Sequence, residues 1–133
     1  MKVHGRCHCG AIRYEADVDP ARVQVCHCTD CQRFSGGAYR VSVPAPRDAF
    51  KLLAGTPREY VKTADSGNKR VQAFCATCAS PIYSAAVEDP PFCSLRVGTL
   101  DERASLRPRK QIWCDSALEW AMDIEDLPKT ARQ

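Results

Sequence analysis

The sequence predicts an all-β fold, mostly antiparallel strand, and three observations carry the prediction. Short segments alternate apolar and polar residues with period two, turn-forming residues separate them, and no window sustains a long amphipathic helix. In residues 11–18, Ile12, Tyr14, Ala16 and Val18 fall on one face, with Arg13, Glu15 and Asp17 opposite. Residues 22–26 set Val23 and Val25 against Arg22 and Gln24, and residues 39–43 group Tyr39, Val41 and Val43. Further on, Val71 and Ala73 oppose Arg70 and Gln72, and Cys93, Leu95 and Val97 share a face. Residues 58–62 and 110–114 read as further strands. Pro20, VPAPRD (43–48), AGTP (54–57), DSGN (65–68) and EDPP (88–91) break regular structure between them. TDCQRF (29–34) fits one short helix with Thr29 as its cap. Residues 116–127 hold good helix formers, but Ile112, Trp113 and Trp120 nearby suit a strand or an apolar lid equally well.

The chain of 133 residues is long enough for one domain with a real core, and residues 1–133 are expected to form a single unit. A formal charge of +3 with scattered Lys and Arg gives no nucleic-acid footprint. No apolar run reaches the roughly 20 residues of a membrane span, and the N-terminus carries no apolar signal segment. Nine cysteines are the anomaly, at 7, 9, 26, 28, 31, 75, 78, 93 and 114. An odd count without a signal argues against a secreted disulfide scaffold and for a reducing, cytoplasmic setting, where clustered thiols point to metal.

Seven of the nine form three clusters: Cys7/Cys9, Cys26/Cys28/Cys31 and Cys75/Cys78. Zinc suits thiolate sets best. The CxxC at 75–78, joined by Cys7 and Cys9, makes a closed four-sulfur site that staples the N-terminus to a distant segment. Cys26, Cys28 and Cys31 then supply three sulfurs, one short of a tetrahedral set, which is the mark of a reactive rather than a structural ion. Three alternatives stay open on spacing alone: His8 or His27 as a fourth ligand, an iron–sulfur cluster, or Cys7/Cys9 paired with Cys26/Cys28. Cys93 and Cys114 read as small buried hydrophobes. Beside the trio, Arg33 is a candidate to pair a carboxylate or a plain surface residue. Ser35 marks a close approach to the metal or a turn, and Trp113 is a site wall or a core residue.

The segments GRCHCGAIRYE (5–15), VCHCTDCQRFSG (25–36), FCATCASPIY (74–83), VGTLD (97–101) and the stretch around Trp113 together resemble the glutathione-dependent formaldehyde-activating enzymes, grouped with the centromere protein V-like domains. The resemblance implies the Mss4-like β-tent of antiparallel sheets and two zinc ions per chain. Cys7, Cys9, Cys75 and Cys78 would hold a structural ion; Cys26, Cys28 and Cys31 would hold one at the reactive centre. It implies glutathione as the thiol, formaldehyde as the aldehyde, and a carbon–sulfur lyase reaction that yields S-hydroxymethylglutathione. Ala79 stands where the family has Gly, Gln111 where many members have His, and Cys114 where a polar residue is commoner, so the substrates are open. The competing readings are a thiol-binding module without catalysis and a structural zinc domain for protein contacts.

Overall fold

The computed structural model describes residues 1–133, arranged as two sheets and one short helix. Strands β1 (Lys2–Arg6), β2 (Arg13–Asp17) and β5 (Lys51–Ala54) form an antiparallel three-stranded sheet with β2 in the middle. The second sheet contains β3 (Gln24–Cys26), β4 (Arg40–Pro46), β6 (Arg58–Thr63), β7 (Lys69–Phe74), β8 (Pro81–Ala86), β9 (Phe92–Arg96) and β10 (Lys110–Ile112). Its order is β10-β3-β4-β9-β8-β7-β6, open at both ends, antiparallel throughout except for the β10–β3 pair. The mostly-β expectation therefore holds.

One apolar cluster of 18 buried residues joins the sheets. Val3, Tyr14 and Ala16 from the small sheet meet Val43, Ala45, Ile82 and Leu95 from the large one. Phe50 bridges them, its ring 5.4 Å from Tyr14 and 5.2 Å from Tyr83. Gly5 is required here, because a Cβ at that position would lie 2.0 Å from the Tyr14 ring. The alternating residues Ile12, Tyr14, Ala16, Val18, Val23, Val25, Val71, Ala73, Cys93, Leu95 and Val97 are all buried, as period two requires.

The structure corrects four details. Strands β5 and β8 lack the full alternation that marked the others, since β5 is exposed along most of its length and β8 is buried on both faces. The helix α1 (Thr29–Ser35) is capped by Cys28, whose Sγ accepts from the Cys31 amide at 3.2 Å, so the cap lies one residue before Thr29. Cys93 is buried as expected, but Cys114 is exposed, on a short 3₁₀ turn over Cys114–Ser116. Residues 117–127 form neither helix nor strand; they run as turns with Trp120, Met122, Ile124 and Leu127 exposed and Ala121 alone buried.

The sheet face turned away from the core carries the chemistry. In the register, Cys26 pairs with Arg40, Ser42 with Arg96, and Gln72 and Ser94 both with Ser84. Directly opposed residues share a face, so one polar row runs from the end of β3 across β4 and β9 to β7. No helix of the structure is long and apolar enough to cross a membrane.

Candidate metal centre

Two groups of sulfurs converge. Cys7, Cys9, Cys75 and Cys78 bring all four Sγ atoms within 4.8 Å of one another, and Cys26, Cys28 and Cys31 do the same with three. Tetrahedral coordination at a zinc–sulfur distance of about 2.3 Å sets sulfurs about 3.8 Å apart. The observed Cys7–Cys9 and Cys9–Cys75 separations are 3.5 and 3.8 Å. The four-sulfur group therefore fits a thiophilic ion closely, and the trio, with its sulfurs within 4.8 Å of one another, can hold one too.

Local backbone builds the four-sulfur group. The turn after β1 closes when the Gly10 amide donates to the Cys7 carbonyl, and the Ile12 amide donates to Cys7 Sγ at 3.3 Å. On the other side, the Ala79 amide donates to the Cys75 carbonyl at 2.8 Å. Ala79 sits there at φ 64°, the left-handed region, where an L side chain is strained and glycine is not. Ala79→Gly is therefore expected to stabilise the metal-loaded chain by about 1 kcal/mol, read as a higher urea midpoint at unchanged slope.

The trio is built by one short segment. Cys26 ends β3, Cys28 caps α1 and Cys31 lies in its first turn. Cys26 is buried, while Cys28 and Cys31 are half-buried. His27, between two ligand positions, turns its ring away: Nε2 lies 2.7 Å from Gln111 Oε1, and the His27 amide donates to the Ile112 carbonyl. Neither His8 nor His27 joins either sulfur group.

The sulfurs of each group shift one another's ionisation in opposite directions. In the trio, the hydrogen bond from Cys31 holds Cys26 below the ordinary thiol range despite burial, and the same contact, with burial, pushes Cys31 well above it. Burial also raises Cys28. In the four-sulfur group, the Ser80 hydroxyl, 3.2 Å away, helps draw Cys78 down to about 5. Cys9, although favoured by the Ala11 amide, is pushed up to about 11, first by Cys7. In each group some sulfurs are ready to ionise and others hold their protons. A divalent cation supplies the charge that lets the rest ionise too.

Two cavities bear on the site, one lined by Cys28 and one by Phe34 of the same helix. The first, about 290 Å³, is lined by Cys28, Asp30, Lys62, Trp113 and Ser116 among others. Trp113 is 62% exposed at φ 56°, which places it on the cavity wall rather than in the core. Gln32 fixes that wall to the helix, donating to the carbonyls of His27 and Ser116 at 2.9 and 3.0 Å. Lys62 pairs with Asp30, tying β6 to α1. Arg33 is exposed on α1, and the Ser35 hydroxyl donates to the Tyr39 carbonyl at 3.3 Å across the following turn.

The second cavity, about 330 Å³, has a floor of Arg40, Gln72 and Arg96 and walls that include Phe34, Tyr60, Phe74 and Tyr83. Reading the sequence alone misses these arginines. Alternation places Arg40 and Arg96 opposite the apolar face, and a period-two pattern does not distinguish water from a second covered layer. Both are more than nine-tenths buried, at 6% and 7% exposure. Arg40 Nη1 and Arg96 Nη2 donate to the same Gln72 Oε1, at 3.2 and 3.0 Å. Burial, with Arg40 alongside, pulls Arg96 down to about 9, which still leaves it charged at neutral pH.

Comparison with known proteins agrees with this geometry. A protein of Halomonas elongata, provisionally named a glutathione-dependent formaldehyde-activating enzyme, is 25% identical over 87 residues, 62% of this chain and 55% of its own length. The chain thus spans about half of that curated relative. A crystal structure of a Rhodobacter sphaeroides protein superposes with a TM-score of 0.63 at 21% identity, covering 84% of this chain and 99% of the other; it supports the fold alone. The family profile described as glutathione-dependent formaldehyde-activating enzyme matches residues 2–116, which contain both sulfur groups and Trp113, and the chain belongs to that family.

Proposed function

We propose that the chain is a zinc-dependent carbon–sulfur lyase that joins a thiol, glutathione in the first instance, to a small aldehyde such as formaldehyde. Residues 1–133 act as one domain in this reading, and the reduced state of its thiols fits a cytoplasmic setting. The observation that carries it is the difference between the two sulfur groups, four against three. Cys7, Cys9, Cys75 and Cys78 complete a tetrahedron and serve structure. Cys26, Cys28 and Cys31 leave one corner for a visitor.

A zinc ion in the trio supplies a position at which an added thiol gives up its proton. The chain's own groups do the rest. The three sulfurs would hold that ion, Cys28 lines the adjoining cavity, and the Cys31 amide donates to Cys28 Sγ at 3.2 Å. Trp113 screens the cavity from water. Arg33 offers a guanidinium to a glutathione carboxylate at the outer end of α1, and Ser35 shapes the turn beside it. Positioning then suffices: the sulfur–carbon bond forms as the carbonyl π bond opens, and the proton released by the thiol is made up at the new hydroxyl.

Adduct formation proceeds without a protein, so affinity does not decide the matter. The test is the rate of S-hydroxymethylglutathione formation from glutathione and formaldehyde with and without zinc-loaded protein. An initial rate that rises in proportion to protein concentration is expected. A rate indistinguishable from the background at saturating glutathione leaves the thiol-binding module as the better reading.

A further inference from the structure

We propose that the cavity floored by Arg40 and Arg96 is a carboxylate-binding site, so that the carbonyl compound this chain works on carries a carboxylate on a ring-sized apolar body. The proposal rests on the reading of Cys26, Cys28 and Cys31 as the reactive centre for what the bound molecule would do there. The binding site itself stands on independent geometry.

The first observation is an unbalanced charge. Arg40 and Arg96 lie side by side on the covered face of the large sheet, and neither forms an ion pair. Arg40 Nε and Nη2 and Arg96 Nε are buried without any hydrogen-bond partner. Their shared acceptor is the neutral amide oxygen of Gln72. Buried guanidinium groups without a counter-ion are costly, and proteins seldom keep them without use. Three thiolates around a divalent ion carry one net negative charge. Arg40, paired with Cys26 across β3 and β4, is placed to answer it. That leaves one guanidinium for a ligand.

The second observation is the shape and lining of the space. At about 330 Å³ it suits a small organic molecule, whereas formaldehyde would leave it nearly empty. Phe34, Tyr60 and Phe74 are among the residues that line it. The Arg40 guanidinium stacks 5.4 Å from the Phe34 ring centre, and Tyr60 stands 6.0 Å from Phe34 at an exposed rim. A planar fork of donors under aromatic walls matches a carboxylate attached to a flat apolar group. A bare inorganic anion would leave the rings without a partner.

The third is position. Phe34 lies three residues after Cys31 on the same helix, and Arg40 pairs with Cys26 in the register, so two residues of the cavity lining are set by the elements that carry the trio. An acid anchored on Arg96 would have its carbonyl carbon available to a thiol held at the trio. The step balances as it does for formaldehyde: the thiol sulfur adds to the carbonyl carbon, the π bond opens, and the thiol proton ends on the oxygen.

Benzoate and its neutral isostere benzamide test the site on the zinc-loaded full chain, read by calorimetric titration and by thermal shift. Benzoate is expected to bind about tenfold or more tightly than benzamide and to raise the melting temperature with concentration. Gln72→Glu places a carboxylate on the atom both arginines already meet. It is expected to fold, to melt higher than the parent chain, and to lose benzoate binding at least tenfold. The proposal is overturned if benzoate and benzamide bind alike, if Gln72→Glu retains benzoate affinity, or if sulfate at equal ionic strength displaces benzoate mole for mole. None of these readouts involves a thiol. Failure here would leave the glutathione reaction standing, and failure of that reaction would leave the carboxylate site measurable.

Discussion

Cys75→Ala is expected to abolish cooperative folding. Cys75 is buried in the apolar core cluster, and its sulfur belongs to the group that ties the first turn of the chain to a segment 66 residues on from Cys9. Closing so long a loop is entropically costly, and a metal clip carries that cost in the folded state. Structural zinc sites contribute on the order of 10 kcal/mol, against a total stability of about 5–15 kcal/mol for an ordinary domain. Losing one ligand from a closed tetrahedron therefore consumes most of the margin. Far-ultraviolet circular dichroism with a thermal melt checks this: the variant should show no sharp transition and bind less than one ion at this group. A melt within a few degrees of the parent chain would contradict a structural role. A strong chelator should act on the unmodified protein in the same direction.

Cys28→Ser is expected to do the opposite, sparing the fold and removing the chemistry. Cys28 is half-buried at a helix end, and its sulfur caps α1 by accepting from the Cys31 amide. Serine is itself a favoured cap, so the helix loses less than about 1 kcal/mol. Two sulfurs no longer hold the ion firmly. Metal content should fall from two to one per chain, the melting temperature should move by only a few degrees, and adduct formation should drop to the uncatalysed rate. An unchanged metal count, or full activity with one ion, would remove Cys28 from the reactive centre.

Much of this molecule is legible in its sequence because two strong local rules apply. Strands that bury one face, such as β2 with Tyr14 and Ala16, show clean alternation. Cysteine spacing sorts seven thiols into three clusters and points to a four-and-three grouping while leaving Cys7/Cys9 with Cys26/Cys28 open, and the structure brings together the four and the three. What stays hidden depends on long-range packing. Strand β8 is buried on both faces, so Ile82, Ser84 and Ala85 show no period. Arg40 and Arg96 sit at positions that a polar face would predict, and only the neighbouring strands and α1 turn that face inward. Cys114 and Trp113 lie outside the core because the chain turns there through a left-handed residue at Trp113, which no feature of QIWCD announces. The family resemblance implied the two-site assignment but not the arginine cavity, because Arg40, Gln72 and Arg96 lie outside the segments that carry the resemblance.

The central claim is that the Cys26, Cys28 and Cys31 group holds an ion with one exchangeable position. Cobalt substituted at both groups gives visible ligand-field bands that respond to each added sulfur. Titration with glutathione should shift the bands of one cobalt toward a four-sulfur spectrum and leave the other unchanged, and Cys28→Ser should erase the responsive component alone. If saturating glutathione moves neither cobalt, or if both already show four protein ligands before any thiol is added, the account is wrong at its base.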